Sequence, residues 1–197
     1  MQDRRKVRSR NYLIKALIKL MKNKDVQAIT VQNLVDEAQI ARSTFYSLYE
    51  DKQDFLNQII DNMFYQLREQ TKPEKFDTLS DFYETACYRC YMKHFEYIEE
   101  HSEFFKVMLG NHGISSFRKR MEDSAVETYE EIFKYIDETK LPIPKDYLIQ
   151  YVISAHIGLT FKWLRDGMKY SAIYMAELVS RITFKGIFIS FSLELLQ

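Results

Sequence analysis

The chain has 197 residues, of which 46% are hydrophobic and 28% are charged, and this composition excludes a disordered or fibrous chain. No run of about 18 uncharged apolar residues is present, and no apolar signal segment follows the basic N-terminal residues, so we expect a cytoplasmic protein without a membrane partner. The formal net charge is +0, but residues 1–24 carry nine basic side chains and one acidic side chain. This local excess indicates contact with a polyanion, whereas a solvated helix face is the alternative.

Apolar residues recur at intervals of three and four along the chain, and Gly and Pro fall mostly between such runs, which predicts an all-α protein. The first helix is predicted over residues 5–23. Thr30 is a suitable N-cap for a short helix over 31–38, and a three-residue turn leads to a third helix over 42–49. A fourth helix is predicted over 52–70.

The third predicted helix has two different sides. At about 100° per residue, Phe45, Leu48 and Tyr49 fall on a side that docks, and the opposite side carries polar residues. A helix, a short helix, a turn and a second short helix form the layout of a helix-turn-helix, whose last member enters a major groove about 12 Å wide. The residues predicted to contact DNA are Arg4, Arg5, Arg8, Thr30, Gln32, Arg42, Ser43, Thr44, Tyr46, Ser47 and Lys52.

These residues have different predicted roles. The short polar side chains and Arg42 are expected to reach base edges or phosphates, and Tyr46 and Lys52 are expected to bind phosphates. Arg4, Arg5 and Arg8 form a predicted arm that reaches the backbone or an adjacent minor groove.

The remainder of the chain predicts a larger helical domain. Its helices are expected at about 78–100, 102–109, 114–139, 145–166 and 171–196, giving about nine helices in all. The predicted DNA-binding domain is 1–52, the helix over 52–70 connects it, and 71–197 forms the effector-binding and dimerisation domain.

The segment "ITVQNLVDEAQIARSTFYSLYEDKQDFLNQII" resembles the DNA-binding domain of the TetR/AcrR family of transcriptional regulators. The matching positions are Thr30, Val31, Leu34, Ala38, Ile40, Thr44, Phe45, Tyr46, Tyr49, Lys52, Phe55 and Leu56. The later segment "AHIGLTFKWLRDGMKYSAIYMAELV" resembles a subgroup that includes regulators of dihydroxyacetone-kinase operons. The resemblance implies a dimeric regulator whose C-terminal domain often binds a small effector.

Four residues depart from the family pattern. Gln39 stands where the family usually has Gly, which costs about 1 kcal/mol if the backbone there is left-handed. Ala41 replaces the frequent Ser or Asn cap, which leaves the first amides of the third helix to Ser43 or water. Ser47 and Leu48 occupy positions where Tyr and His are common.

The final two predicted helices are apolar nearly all round, through "YLIQYVISAHIGLTFKWL" and "ITFKGIFISFSLELL". We expect them to form a homodimer through a four-helix interface, and burial within one chain is the alternative. A two-fold dimer in turn predicts a palindromic operator in double-stranded DNA.

A small hydrophobic or aromatic effector would bind among aromatic and methionine residues, which could equally be ordinary core. The candidates are Tyr88, Tyr91, Phe95, Phe104, Phe105, Met108, Phe117, Met121, Phe161 and Trp163. His94 and His101 lie seven apart on one predicted helix face, but ordinary hydrogen bonding is expected of them rather than metal binding. Cys87 and Cys90 are expected to be reduced thiols, and no cofactor or metal is expected.

The sequence therefore predicts a homodimeric repressor, nucleoid-associated in the cytoplasm, that a small effector releases from its operator. One alternative is a ligand-free co-regulator or activator that acts through a protein partner. A helical enzyme is disfavoured, because the sequence has no Gly-rich phosphate loop, HExxH or GxSxG motif.

Overall fold

A computed structural model of the chain describes residues 2–72, 87–134, 138–141 and 143–190. Every regular element within these ranges is helical, which confirms the predicted all-α fold. The nine α-helices of the described residues are α1 Gln2–Met21, α2 Val31–Ala38, α3 Arg42–Tyr46, α4 Lys52–Thr71, α5 Cys87–Glu100, α6 Ser102–Leu109, α7 Phe117–Phe133, α8 Lys145–Arg165 and α9 Ala172–Ser190. Short 3₁₀ turns occur at Val26–Ala28 and Glu138–Lys140.

Several helix boundaries differ from the predictions. α1 begins at Gln2, so Arg4, Arg5 and Arg8 lie in a helix and the prediction of an arm is wrong. α3 ends at Tyr46, three residues before its predicted end, because Ser47 already closes its last turn. Residues 78–86, 135–137 and 191–196 of three predicted helices lie outside the described residues.

The chain divides into two compact units. The first unit contains Met1–Tyr65 together with Glu103–Arg118, and the second contains Gln66–Ser102 together with Lys119–Gln197. α4 supplies residues to both units, and nearly all of α6 belongs to the first.

The core of the first unit joins α1 and α2 to an aromatic cluster. Leu13 and Leu17 are fully buried on α1, as is Leu34 on α2. The rings of Phe45 and Phe55 lie 5.8 Å apart between centroids, and Tyr49 is 4.9 Å from Phe55. Such edge-to-face contacts add about 0.5–1.5 kcal/mol each to the burial of the rings, so this cluster anchors the short α3.

The segment 103–118 completes the first unit. The rings of Phe104 and Phe105 lie 5.9 and 6.0 Å from that of Phe117. The loop between α6 and α7 also accepts a hydrogen bond, since the Val26 amide donates to the His112 carbonyl at 3.0 Å. Gly113 is required in this loop, because a Cβ there would lie 2.0 Å from the Met108 carbonyl oxygen.

In the second unit, α9 packs along α5, and the Phe95 ring meets the Trp163 ring edge-on at 5.4 Å. Ile153 and Ile157 on α8 are buried with them. The regular course of α9 is interrupted at Gly186, whose φ is 72°. None of the helices, over the residues described, is both long enough and apolar enough to cross a lipid bilayer.

Candidate nucleic-acid interface

Specific residues begin and end α2. The Asn33 amide donates to the Thr30 hydroxyl at 3.1 Å, and the Thr30 amide donates to the Asn33 side-chain oxygen at 3.1 Å, which together form a capping box. At the other end Gln39 is left-handed, with φ 53° and ψ 45°. The turn therefore has a left-handed residue of the kind for which Gly is favoured. Gln39 adopts this conformation at a cost of about 1 kcal/mol relative to Gly.

α3 has no comparable local support. Its N-cap is Ala41, which makes no side-chain hydrogen bond. The helix is held instead by Phe45, which is fully buried, and by Tyr49, which is 4% exposed. Burial raises the pKa of the Tyr49 phenol, partly offset by the nearby Arg10 guanidinium and its hydrogen bond.

The two predicted sides of this segment are confirmed by burial. Arg42, Ser43, Tyr46 and Ser47 are exposed, and Thr44 is half-buried. The docking side consists of the buried Phe45 and Tyr49 with the half-buried Leu48. α3 and the residues directly after it thus present a short polar surface to solvent, while the opposite side is fixed by aromatic packing.

Several side chains of this surface are held in place by their neighbours. An Arg42 Nη atom donates to the Tyr46 hydroxyl at 3.3 Å, and the guanidinium carbon lies 5.6 Å from the Tyr46 ring centroid. The remaining guanidinium N–H groups can reach a base or phosphate from this fixed position. The Ser47 hydroxyl donates to the Thr44 carbonyl at 2.7 Å and retains lone pairs as acceptors.

α1 also carries exposed basic residues. Arg4, Arg5 and Arg8 are exposed on α1. Arg8 donates to the Tyr12 hydroxyl at 2.7 Å, and its guanidinium lies 5.4 Å from the Tyr12 ring, which repeats the Arg42–Tyr46 arrangement on a second helix.

The predicted contacts on α2 have partners within the protein. Thr30 caps the helix, and the Gln32 amide donates to the Asp36 carboxylate at 2.7 Å. Both side chains are exposed. Their contacts with DNA stay predictions.

Lys52 has a more demanding set of partners. Its ammonium donates to the carbonyls of Val26, Gln27 and Ile29 at 3.1, 3.0 and 2.8 Å. An ammonium has three N–H donors, so these bonds use all of them. The phosphate contact expected of Lys52 stays a prediction.

The family is identified by a range of the sequence that includes residues of both units. Residues 88–185 match a family model described as "Transcriptional regulator C-terminal region", of the TetR type. The chain belongs to the TetR family of transcriptional regulators.

Three comparisons set out how this TetR-family chain relates to known proteins. It is 24% identical over 180 residues to a Bacillus subtilis protein described as the uncharacterized HTH-type transcriptional regulator YxbF, covering 88% of this chain. The match covers only 45% of YxbF, so the chain spans less than half the length of that relative.

Two solved structures share the TetR-family fold. A TetR transcriptional regulator from Streptococcus agalactiae is 22% identical, with a TM-score of 0.64, over 92% of this chain and 97% of the other. The dihydroxyacetone kinase operon activator DhaS is 18% identical, with a TM-score of 0.62, over 91% of this chain and 96% of the other.

The candidate effector residues of this TetR-family chain are divided between the two units. Phe104, Phe105, Met108 and Phe117 are buried in the first unit, where the three phenylalanines contact one another. The candidates in the second unit are Tyr88, Tyr91, Phe95, Met121, Phe161 and Trp163. Of these, Tyr91, Phe95, Met121 and Trp163 are buried, and Tyr88 and Phe161 are half-buried.

The second unit also contains a half-buried polar cluster centred on His156, which the sequence analysis missed. One ring nitrogen of His156 lies 2.8 Å from the Tyr129 hydroxyl and the other lies 3.0 Å from the Thr183 hydroxyl. The Tyr91 ring meets the imidazole edge-on at 4.7 Å. Burial lowers the pKa of His156 to about 3, with a further contribution from His94. A single histidine within the apolar run of α8 was the available signal.

The two histidines predicted on one helix face have separate partners. His94 lies 3.3 Å from the Thr160 hydroxyl, and burial lowers its pKa to about 4. The His101 ring packs on Tyr97 at 4.3 Å. Within the described ranges, no three His, Cys, Asp or Glu side chains are grouped so as to hold a metal ion.

Proposed function

We propose that the protein is a sequence-specific DNA-binding regulator that acts as a homodimeric repressor on a palindromic operator. This proposal depends on the exposed polar side of the α3 segment, which carries Arg42, Ser43, Tyr46 and Ser47. The opposite side of the segment is anchored in the core by the buried Phe45. An α-helix fits the major groove, and arginine and short polar side chains read base edges there. A repressor of this kind needs no catalytic step and would lie in the cytoplasm with the nucleoid.

The proposed contacts fall into two classes. Arg42, Ser43 and Thr44 of α3, with Ser47 directly after it, would read bases through their short polar side chains or the guanidinium. The exposed Arg4, Arg5 and Arg8 of α1, with Tyr46 and the α2 residues Thr30 and Gln32, would bind the sugar-phosphate backbone and fix the register of α3.

Selection from a random pool of DNA duplexes tests this function directly. The expected result is enrichment of a palindrome whose binding weakens steeply as salt rises. Arg42→Ala should reduce affinity by about 1–3 kcal/mol and relax the preference at one position of each half-site. Lys19→Ala is a matched control, since it removes an exposed cation that is paired with Glu37. Recovery of no common sequence would reject the proposal.

We propose that the homodimer forms through α8 and α9. Tyr147 and Tyr151 on α8 are 70% and 63% exposed, and Ile173 and Tyr174 on α9 are 54% and 45% exposed. Gly158 lies on the exposed side of α8, and a Cβ there would meet nothing within 4 Å. The protomer alone has no need of this Gly, which costs about 1 kcal/mol relative to Ala within a helix, whereas close approach of a partner helix does.

Sedimentation of two glutamate variants tests this interface. Tyr151→Glu should convert the dimer to a monomer, because it places a charge in a region that association desolvates. Tyr65→Glu is the control, since Tyr65 is comparably exposed, at 53%, but lies on α4. An unchanged dimer in Tyr151→Glu would place the interface elsewhere.

We propose further that a small hydrophobic or aromatic effector binds in the second unit and releases DNA. Tyr91, Phe95 and Trp163 would supply apolar contact, and the Tyr129–His156 pair would supply hydrogen bonds. An effector acts in this way only if it binds the DNA-free form more tightly than the DNA-bound form. Native mass spectrometry of the purified protein should detect a bound small molecule. Capture of a stoichiometric protein partner without any small molecule would support the co-regulator alternative.

The sign of regulation has a separate test, because one structurally similar protein, DhaS, is an operon activator. A reporter placed behind the selected operator should be less active when the protein is expressed. Increased reporter activity would identify an activator.

A further inference from the structure

Arg42 and Tyr46 lie about one helical turn apart on the exposed side of α3. The Arg42 Nη2 atom donates to the Tyr46 hydroxyl at 3.3 Å, and the guanidinium carbon lies 5.6 Å from the centre of the phenol ring. A hydrogen bond and a cation–π contact therefore act on the same guanidinium. Because a free arginine side chain has many rotamers, these two contacts narrow the directions in which the Arg42 donors point.

The Tyr46 ring is in turn attached to the core of the first unit. Its edge-to-face contact with the Phe45 ring has a centroid distance of 5.5 Å and an interplanar angle of 84°. Phe45 is fully buried and contacts the rings of Tyr49 and Phe55. A continuous series of contacts thus leads from the aromatic core to the guanidinium of Arg42.

Both side chains keep the donors that DNA recognition needs. A guanidinium is a planar fork in which each Nη atom carries two hydrogens, so one donation to Tyr46 leaves a complete two-donor edge. Such an edge matches the N7 and O6 acceptors that guanine presents in the major groove. The Tyr46 hydroxyl accepts from Arg42 through its oxygen, so its own proton is available to a phosphate oxygen. Donation to a phosphate polarises the hydroxyl and strengthens its bond to Arg42.

We propose that Arg42 reads a guanine, and that Tyr46 sets the strength of this preference as a positioning residue that holds the guanidinium while its hydroxyl binds a phosphate. This inference rests on the proposed DNA-binding function and deepens it. A phosphate contact carries no sequence information by itself, but here it is coupled to a base contact through one hydrogen bond. A tyrosine that only bound a phosphate would strengthen binding equally on every sequence.

Two matched substitutions isolate the hydroxyl. Tyr46→Phe keeps the ring against Phe45 and removes only the oxygen that accepts from Arg42. Tyr12→Phe is the control, because Arg8 donates to the Tyr12 hydroxyl at 2.7 Å and lies 5.4 Å from its ring. The same group is therefore removed from the same kind of pair, on α1 instead of α3.

The first measurement is the affinity of each full-length variant for the selected palindromic duplex and for duplexes with one base pair changed in each half-site. It is made at a temperature where circular dichroism shows every variant to be folded. Arg42→Ala should remove the preference for guanine at one position of the half-site. Tyr46→Phe should reduce the preference at this same position by roughly threefold or more, and Tyr12→Phe should leave it unchanged.

Two outcomes of this measurement would overturn the proposal. One is a Tyr46→Phe protein that binds every duplex more weakly by the same factor. The other is the absence of a guanine preference that depends on Arg42.

The double variant tests the coupling. In the Arg42→Ala background, Tyr46→Phe should have no further effect on base preference, because the hydroxyl acts through the guanidinium. An equal loss of preference with and without Arg42 would mean that Tyr46 acts independently, and the proposal would be rejected.

The last measurement uses the DNA-free protein and separates failure of this proposal from failure of the proposed function. Nuclear magnetic relaxation should give a lower order parameter for the Arg42 Nε–H bond in Tyr46→Phe than in the wild-type protein, and the same value in Tyr12→Phe. An unchanged value in Tyr46→Phe would overturn this proposal alone, even when a palindrome is selected. If the wild-type protein selects no duplex, the proposed DNA-binding function fails and the guanine preference fails with it.

Discussion

Both units bury aromatic rings, but they differ in where some of their polar and aromatic residues lie. In the first unit, aromatic rings are buried around Phe45 and the polar residues of α3 face outward. In the second, the polar groups of His156 and Thr160 lie inside, while Tyr147 and Tyr151 are exposed on α8.

The difference suits the surfaces of the two helical units to different kinds of partner. An exposed polar surface that is supported by a rigid apolar core suits contact with a hydrated polyanion. An outward aromatic surface is stable only when a partner covers a good part of it. A buried polar cluster is costly unless all of its groups are bonded, so it specifies how the four helices that carry it pack. Four substitutions test this contrast.

The largest effect is expected from Phe45→Ala. Phe45 is fully buried and contacts the rings of Tyr49 and Phe55, so its removal should cost about 3–5 kcal/mol and release α3 from the first unit. Chemical denaturation monitored by circular dichroism measures the loss, and DNA binding should disappear with it. Phe45→Leu is the control that retains much of the volume. A loss below 1 kcal/mol in Phe45→Ala would show that α3 is supported in another way.

Acidification should weaken the second unit through the half-buried His94 and His156. Burial lowers the pKa of His94 to about 4 and that of His156 to about 3, against about 6.5 in an unfolded chain. As pH falls below about 6.5 the unfolded chain takes up protons that the folded protein does not, so stability is lost down to the folded-state pKa. Between pH 7 and pH 5 the expected loss is about 2 kcal/mol per histidine.

Replacing His156 tests the origin of this pH dependence. His156→Gln should flatten the dependence of unfolding free energy on pH between 7 and 5. His112→Gln is the control, because His112 is exposed. An equally steep dependence in His156→Gln would assign the acid sensitivity to other groups.

A smaller loss is expected at the cap of α2. Thr30→Ala removes the acceptor of the Asn33 amide and should cost about 1 kcal/mol. Thr30→Ser retains the hydroxyl and should be nearly neutral. Thermal unfolding of both variants measures the difference, and equal losses would mean that the Thr30 methyl group, and not the cap, is responsible.

The smallest effect is a gain at Gln39. Its φ of 53° is left-handed, so Gln39→Gly should stabilise the protein by about 0.5–1 kcal/mol, after the greater entropy of Gly in the unfolded chain is taken into account. Gln39→Ala keeps a Cβ at the same φ and should show no such gain. A destabilised Gln39→Gly would show that the Gln39 side chain contributes a contact of its own.

The helix-turn-helix was accessible to sequence reasoning because its signals are local. Thr30 as N-cap and the apolar stripe of Val31, Leu34, Val35 and Ala38 define α2 within nine residues. The side of α3 that docks followed from the spacing of Phe45 and Tyr49. The helical prediction for α3 ran three residues too far, because periodicity does not show where a short helix stops.

The spacing of the candidate effector residues did not predict which unit each of them belongs to. Phe95 and Phe104 lie on similar helical patterns only nine positions apart, yet the structure assigns them to different units. Aromatic spacing alone describes a buried face without indicating what covers it. His156 was overlooked for the same reason, since its partners Tyr129 and Thr183 are each 27 positions away.

Sequence by itself determined the helical class, the position of the helix-turn-helix and the polar side of α3, because capping, turn chemistry and 3.6-residue periodicity act over a few residues. Tertiary structure alone decided that 103–118 packs with the N-terminal residues, that His156 joins three helices, and that Lys52 bonds to the segment before α2. These features depend on contacts between residues that are far apart in the chain. Such contacts are determined by how the whole unit packs, and no periodic pattern in the sequence indicates them.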